Sequence, residues 1–393
     1  MDFRLGGDSA TELKAFRAEL REVLARYSTP EVRARATATG TGLDWDLHRE
    51  MAERGWIGDD FPKELGGRGN DPVRMIAMRE ELDLSGAPWL GWIYARMIAS
   101  TLRAAGSEAQ KKEFIPRLLG GEMIACLGYT EPGCGSDVAA AATKARKLEG
   151  GNEWVIDGQK MFTTVAEVAS YVFLLTRTDP GIAKHRGLTL FLVPLASKGI
   201  EVREVKTLGG ERTNVTFYNG VRVPDSARVG EVNGGWKVML AALAEERPGG
   251  GRDLKDKLLL ATLESVRQSY DGDGKLPDDP VLREALARCA VDNEVSSLLG
   301  YRAMWLFGQG KNAGVEGSMF KLFASESLIR SSSMLLDATG PLGVLHEGEQ
   351  GALAHGEVEH LYRHSHVETI YGGSSEIQRG VIAEHRLGLP KSR

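Results

Sequence analysis

One stretch of the chain combines hydroxyl side chains with glycines in a way that suits a phosphate or a polar heterocycle. It runs from Thr130 to Asp137 and follows a short apolar segment. Gly133 and Gly135 let the main chain turn sharply and approach a ligand closely, while Thr130 and Ser136 add hydroxyls that can donate or accept. Backbone N–H groups in such a turn can face an anion. The same residues also favour an ordinary surface turn, so the stretch alone leaves both interpretations open.

A second group of residues that could do chemistry lies near the C-terminus, where histidines alternate with carboxylates. His360 and His364 stand four residues apart, which places both rings on one face of a helix, as in some zinc sites. The HExxH motif is absent, and the solvated polar face of an ordinary helix gives the same pattern. We therefore predict no metal site from this group, which comprises His355, Glu357, Glu359, His360, His364, His366 and Glu368.

Composition argues against several classes of protein. The chain has 393 residues, of which 42% are hydrophobic and 26% charged, as in globular proteins with a substantial core. Its formal charge of −5 argues against nucleic-acid binding. No apolar run is long enough to span a bilayer, and Met1–Leu5 has no basic region followed by an apolar run, so membrane insertion and secretion are not expected. Cys126, Cys134 and Cys289 have no metal or redox spacing, which fits a cytoplasmic location.

The apolar periodicity divides the chain into three parts and predicts an α+β fold. We expect an N-terminal helical domain over residues 1–122, a middle antiparallel β domain over 123–230, and a C-terminal domain over 231–393 that resembles a four-helix bundle. In the middle part, Asp157-Gly158 and Asn219-Gly220 predict hairpin turns. The helices expected in the first part are Ser9–Tyr27, Pro72–Leu84, Trp89–Ala105 and Ser107–Leu119.

Four segments resemble the signatures of the acyl-CoA dehydrogenase family, in the family's order. They are Gly55–Gly58 with Phe61–Gly67, Thr130–Asp137, Gly158–Thr164 and Tyr371–Arg379. The resemblance covers essentially the whole chain. It implies an FAD-dependent enzyme that desaturates an acyl-CoA thioester between its α- and β-carbons, with the β-hydride going to flavin N5. The electrons would then pass to an electron-transferring flavoprotein.

The resemblance also implies roles for single residues. Phe162 would cover one face of the flavin ring, and Thr164 would place its neutral hydroxyl near N5, where it could follow the change in protonation. Without the other motifs, both would be taken as ordinary strand residues. Ser136 would lie near the pyrophosphate and the CoA, and Arg247 and Gly373 would also contact the substrate. The residues expected to contact FAD are Tyr129, Thr130, Ser136, Phe162, Thr163, Thr164, Arg267, Ser374 and Glu376.

The catalytic base does not stand where most relatives carry it, because that position is Gly372. Some relatives carry the base in a Glu-Arg pair on the first helix of the bundle, and Glu246 with Arg247 matches that pair. On a helix, Glu246 falls at the edge of the apolar stripe that includes Leu243, whereas Glu245 falls on the opposite side. We therefore predict Glu246 as the base, with a solvated charge pair as the alternative. Gly372 would still offer its N–H to the thioester oxygen.

Two departures from the family indicate a site shared between subunits. The Arg-x-x-Phe-Gly segment that reaches the partner's FAD in relatives is replaced by Arg267–Gly272, which is one residue too long. Asp337 stands where glutamine is usual, and its charge would repel a pyrophosphate. With Gly372, these features resemble bacterial relatives of steroid or unusual-acyl catabolism in which two different subunits share each flavin. We expect a homo- or hetero-oligomer. A non-catalytic subunit and a flavin oxidase or monooxygenase remain alternatives.

Overall fold

The N-terminal part of the structure is helical, as predicted. The computed structural model describes residues 10–70, 73–246, 254–269, 279–309, 311 and 313–391. Four of the first helices match the predicted ones within a few residues, and two short helices between residues 30 and 53 had not been named individually. The helices are α1 (Ala10–Arg26), α2 (Pro30–Thr39), α3 (Trp45–Glu53), α4 (Val73–Ser85), α5 (Leu90–Ala105) and α6 (Glu108–Leu119).

The start of α6 connects the helical part to the β domain. The Ser107 hydroxyl accepts from the Gln110 N–H at 3.2 Å, and the Gln110 side chain accepts from the Ser107 N–H at 3.0 Å, which forms a capping box. The same Gln110 amide also donates to the carbonyls of Ser226 and Arg228, at 2.9 and 3.0 Å. One buried side chain therefore caps the start of α6 and fixes the position of this helix on the next domain.

The middle part is one sheet, in which β1 pairs with β4 and the other strands follow the order β6-β7-β3-β2-β4-β5-β8. Most pairs are antiparallel, as predicted, but β1 and β2 each run parallel to β4. That difference arises because these pairs are not joined by tight turns. The strands are β1 (Ala125–Gly128), β2 (Lys144–Lys147), β3 (Glu153–Lys160), β4 (Tyr171–Arg177), β5 (Leu188–Pro194), β6 (Ile200–Lys206), β7 (Arg212–Pro224) and β8 (Arg228–Val229).

Both predicted hairpin turns are wrong, because each dipeptide lies inside a continuous strand. Asp157-Gly158 belongs to β3 and Asn219-Gly220 belongs to β7. The two strands pair with each other, and their register shifts at this point, as at a β-bulge. The Asp157 carboxylate accepts from the Gly220 N–H at 2.7 Å, and Gly220 has a φ of 61°. A bulge and a type I′ turn both require a residue that tolerates positive φ.

Helices return after the sheet, as predicted, and complete the α+β fold. The predicted domain boundaries fall between α6 and β1 and between β8 and the first of these helices. That helix packs on both α5 and β5, while the next four helices form a second apolar core. The C-terminal helices are α7 (Gly235–Glu246), α8 (Leu254–Ser269), α9 (Pro280–Gly308), α10 (Gly314–Thr339), α11 (Glu357–Glu368) and α12 (Ser375–His385).

His48 on α3 is expected to make the protein sensitive to acid. Its side chain is buried, and neither ring nitrogen has a hydrogen-bond partner among the described residues. Burial lowers the pKa of His48 to about 4, and the charge of Arg49 adds to this. Since the unfolded chain takes up this proton near pH 6.5, stability falls as the pH drops from about 6.5 to about 4, by about 1.4 kcal/mol per unit.

The His48→Leu variant removes this titration. Urea unfolding at about pH 7 and about pH 4.5 should show that the variant loses about 2 to 3 kcal/mol less stability between these conditions than the parent. The matched control is His385→Leu, because His385 is exposed. This variant should show the same change in stability between the two pH values as the parent. An equal loss in parent and His48→Leu would contradict the expectation.

Candidate functional site

An exposed aromatic ring stands in a strained turn directly after β3. Phe162 has a φ of 58° and Val165 a φ of 59°, in the left-handed region that bulky and β-branched residues rarely adopt. Each such residue costs on the order of 1–3 kcal/mol, and strain of this kind concentrates at functional sites. Phe162 is nonetheless 56% exposed. The turn therefore presents a flat apolar surface that packing inside this chain does not explain.

This turn corrects one detail of the sequence interpretation. Phe162, Thr163 and Thr164 were expected in a strand, but β3 ends at Lys160. Thr164 is half-buried, and its hydroxyl lies 3.2 Å from that of Thr213. Thr163 is fully buried and its hydroxyl lies 3.4 Å from that of Thr216. The Thr163 side chain thus supports the turn from its inner side, while Phe162 occupies its outer side.

The loop predicted to bind a phosphate or heterocycle lies beside this turn. The Thr130 carbonyl accepts from the Met161 N–H at 2.8 Å, which joins the two segments. A Cβ added at Gly133 or Gly135 would meet nothing within 4 Å, so the loop faces open space. Ser136 is exposed on the same loop. Tyr129, just before the loop, is buried with 7% of its surface exposed.

A buried ion pair fixes the base of the loop. Lys160 is fully buried, and its Nζ lies 2.7 Å from Glu131 Oε1 and 3.2 Å from the Tyr129 carbonyl. The Glu131 carboxylate also accepts from the N–H groups of Ala142 and Thr143, at 2.7 and 2.9 Å. Burial alone would raise the pKa of Glu131, but Lys160 and these two donors outweigh it and lower the pKa. The loop therefore rests on a buried ion pair in which the Lys160 ammonium and the Glu131 carboxylate both have further hydrogen-bond partners.

The C-terminal signature forms a second turn, between α11 and α12. Gly372 and Gly373 have φ values of 62° and 89°, and the amide of buried Gln378 donates to both of their carbonyls, at 3.0 and 3.1 Å. Ser374 caps α12 by accepting from Ile377 N–H at 3.4 Å. A cleft of about 480 Å³ lies next to this turn, and it is lined by Glu326, Ile329, Arg330, Thr369, Ile370, Ser374, Ser375 and Glu376.

A chain of polar contacts connects this second turn to the β domain. The Tyr371 phenol donates to Glu368, Glu368 lies 3.3 Å from His364 Nε2, and His364 Nδ1 lies 2.6 Å from Glu211. Burial opposes the charge on His364, but the two carboxylates outweigh it and raise the His364 pKa to about 10. His360 also contacts Glu211, at 3.2 Å. His364 thus forms ion pairs with both carboxylates, and the described residues contain no group arranged to hold a metal.

The predicted base lies on the helix between the helical and β domains. Glu246 is the last residue of α7, and α7 packs against α5 on one side and β5 on the other. At the other end of α7, the Trp236 ring lies 6.3 Å from that of His185. The Glu246 side chain, Arg247 and the Arg267 side chain lie outside the described residues.

The residues present fit a flavin dinucleotide. A planar isoalloxazine needs an apolar face to stack on and neutral hydrogen-bonding groups at its polar edge. Phe162 offers the exposed face, and Thr130 and Thr164, both half-buried in the two adjoining segments, carry neutral hydroxyls. The loop around Gly133 and Gly135 gives backbone access for a phosphate.

Comparison with known proteins identifies the class of protein. Residues 10–122, 126–218 and 233–387 match the N-terminal, middle and C-terminal domains of acyl-CoA dehydrogenases. The chain is 33% identical over 392 residues to acyl-CoA dehydrogenase FadE26 of Mycobacterium tuberculosis, with 96% of each chain covered. The chain therefore belongs to the acyl-CoA dehydrogenase family, an oxidoreductase family, as its motifs had indicated.

Two solved structures resemble the chain over nearly its full length. One is the Tcur3481-Tcur3483 steroid ACAD, with a TM-score of 0.89, 32% identity and 100% of both chains covered. The other is the ChsE4-ChsE5 complex from Mycobacterium tuberculosis, with a TM-score of 0.85, 31% identity and coverage of 98% and 99%. Within the described residues, no helix combines the length and the apolar character needed to cross a membrane.

The buried residues that support the candidate site could not be identified from the sequence motifs alone. Lys160 and Glu131 lay inside recognised motifs, but their pairing was not predicted. Two opposite charges next to apolar strands could have indicated it, since buried charges are normally paired. Asn214, which contacts Thr163, gave no comparable indication, because a polar residue within a strand is usually taken to face solvent.

Proposed function

We propose that this chain is an FAD-dependent acyl-CoA dehydrogenase that desaturates an acyl-CoA thioester, with Glu246 removing the α-proton. The observation that carries the proposal is the exposed Phe162 ring, which stands in a turn with positive φ at Phe162 and Val165. Membership of the acyl-CoA dehydrogenase family makes a flavin the expected partner of this ring. Bound FAD would supply the acceptor for the β-hydride and pass the electrons to an electron-transferring flavoprotein. The chain's own residues would bind, orient and deprotonate the substrate.

Three segments would divide the binding of FAD and CoA between them. Phe162 would cover one ring face, and the Thr164 hydroxyl would lie near N5. Ser136 and the backbone of its loop would lie near the pyrophosphate and the CoA, while Ser374 and Glu376 would serve the adenosine half. Each of these groups is neutral or a backbone donor except Glu376, so little fixed charge would shift the redox potential of the flavin.

The substrate would lie between the β domain and α7. The Gly372 N–H would bond the thioester oxygen and so acidify the α-carbon. Glu246, at the C-terminal end of α7, would take up the α-proton, and Arg247 and Gly373 would contact the thioester. Negative charge is disfavoured at the C-terminal end of a helix, which suits a carboxylate that must accept a proton.

We further propose that the flavin site is completed by a second, similar subunit. Arg267–Gly272 and Asp337 depart from the segments that hold the partner's FAD in relatives. The ChsE4-ChsE5 structure, named as a complex of two chains, supports a hetero-oligomer.

A steroid acyl group is the favoured substrate, because the Tcur3481-Tcur3483 relative is named a steroid ACAD. Gly372 lacks a side chain where most relatives carry a glutamate, which leaves room for a bulky acyl chain.

Expression of the chain alone and with a co-expressed second family member tests the proposal. We expect a folded, colourless protein alone and a yellow complex with the partner, because the partner would supply dinucleotide contacts that this chain lacks. The complex, mixed anaerobically with a steroid side-chain acyl-CoA, should lose its flavin absorbance and yield a product lighter by two hydrogens. Mass spectrometry measures the product, and reoxidation by air tests the oxidase alternative.

Three outcomes would count against these proposals. A full complement of FAD on the chain alone would exclude a flavin site that requires a second, different subunit. A yellow complex that no acyl-CoA reduces would exclude the dehydrogenase. Rapid reoxidation by oxygen, with turnover, would favour the oxidase.

A further inference from the structure

The strained turn after β3 needs a structural element that holds it. Phe162 and Val165 both have positive φ, and the Phe162 ring is exposed, so its own packing does not offset the strain. A turn of this kind persists only if its surroundings fix it. Thr163, in the middle of the turn, is the residue on which those surroundings act.

Asn214 on β7 holds Thr163 from both sides. The Asn214 carbonyl accepts from the Thr163 N–H at 2.8 Å, and the Asn214 Nδ2 donates to the Thr163 carbonyl at 3.0 Å. The Asn214 residue is fully buried. The first contact is backbone pairing that any residue could make, but the second requires a side-chain donor of this length.

The second N–H and the oxygen of the Asn214 amide are also hydrogen-bonded. Its Nδ2 donates to Glu167 Oε2 at 2.7 Å, and its Oδ1 accepts from Arg212 Nε at 3.1 Å. Glu167 in turn accepts from the Thr41 hydroxyl at 3.1 Å, and Arg212 N–H donates to the Gly40 carbonyl at 2.8 Å. The amide is thus fixed by the β domain and, through these two residues, by the loop that follows α2.

We infer that Asn214 is a positioning residue that sets where Phe162 and Thr164 meet the bound flavin. This inference rests on the proposed function. Loss of the Nδ2 donor leaves the buried Thr163 carbonyl without its partner. The turn can then relax its two strained residues, which moves the Phe162 ring and the Thr164 hydroxyl together. Flavin affinity and redox properties change as a result, although Asn214 itself does not touch the ring.

Two substitutions test the inference in the flavin-loaded complex. Asn214→Ala removes the whole amide, and Asn214→Leu keeps its size and branching but removes the Nδ2 donor without placing a charge beside Glu167. We expect each to raise the FAD dissociation constant roughly tenfold or more. At saturating FAD, each should also shift the visible absorption maximum and the midpoint potential of the flavin. A merely structural role would lower stability in urea without moving these two properties.

Asn219→Ala is the matched control, because Asn219 lies on the same strand and is exposed; it should behave as the parent. If Asn214→Ala does not fold, Asn214→Leu decides the question. Folded variants with the parental dissociation constant, spectrum and potential would overturn the inference and leave the proposed function intact. A parent complex that takes up no flavin would instead overturn the proposed function, and this inference with it.

Discussion

Replacing Glu246 by glutamine should lower the rate of substrate desaturation by about 10²- to 10⁴-fold while leaving flavin binding intact. Glutamine has nearly the same shape as glutamate but cannot accept the α-proton. Glu246 ends α7, the helix that packs between α5 and β5, so the substitution changes the chemistry at the helix end rather than the fold. The rate is measured by mixing the yellow complex anaerobically with a saturated acyl-CoA and following loss of flavin absorbance.

Glu245→Gln is the control, because it makes the same change of charge one residue earlier. On a helix the two side chains point about 100° apart, so only one of them can face the substrate. The control should retain a rate near that of the parent. If Glu246→Gln kept the parental rate, Glu246 would not be the base, and the non-catalytic subunit would become the better interpretation.

Replacing Lys160 by methionine should lower the free energy of unfolding by about 3–5 kcal/mol, because it leaves the buried Glu131 carboxylate without its cation. Glu131 is 9% exposed and Lys160 is fully buried, so water cannot take over the lost interaction. The Lys160 Nζ also donates to the Tyr129 carbonyl. The variant should therefore also bind FAD more weakly, and urea unfolding and flavin titration measure the two effects.

Two further variants separate the loss of an ion pair from the burial of an unpaired charge. Lys184→Met removes the ion pair between Lys184 and Asp137, which lies on the same loop as Glu131. Both side chains of this pair are more than half exposed. It should cost at most about 1 kcal/mol. The double variant Lys160→Met with Glu131→Gln should regain part of the lost stability, since no charge is left buried. The recovery is incomplete because a glutamine has one acceptor oxygen for the two N–H groups of Ala142 and Thr143. A double variant as unstable as Lys160→Met alone would contradict this explanation.

The parts of the fold that depend on neighbours along the chain could be predicted from the sequence. Ser107 was expected to begin α6, and its capping box with Gln110 does so. The helices from α7 to α12 follow the apolar periodicity, because a buried face repeats every turn. The three-part order and the family motifs were likewise readable, since each motif is a continuous run of residues.

The errors arose where pairing with distant residues decides the structure. Asp157-Gly158 and Asn219-Gly220 favour positive φ, which a hairpin and a bulge both use, and only the partner strand decides between them. The strain at Phe162 was not predictable, because a phenylalanine after a strand normally stays extended. Its conformation is imposed by Asn214, which lies 51 residues away in sequence from Thr163.

A crystal structure of the flavin-loaded complex with a saturated acyl-CoA analogue tests the central claim most directly. We predict an isoalloxazine stacked on Phe162, a thioester oxygen within hydrogen-bond distance of the Gly372 N–H, and the Glu246 carboxylate directed at the α-carbon. A flavin bound away from Phe162, or a Glu246 carboxylate directed into solvent while the cleft is occupied, would contradict the account.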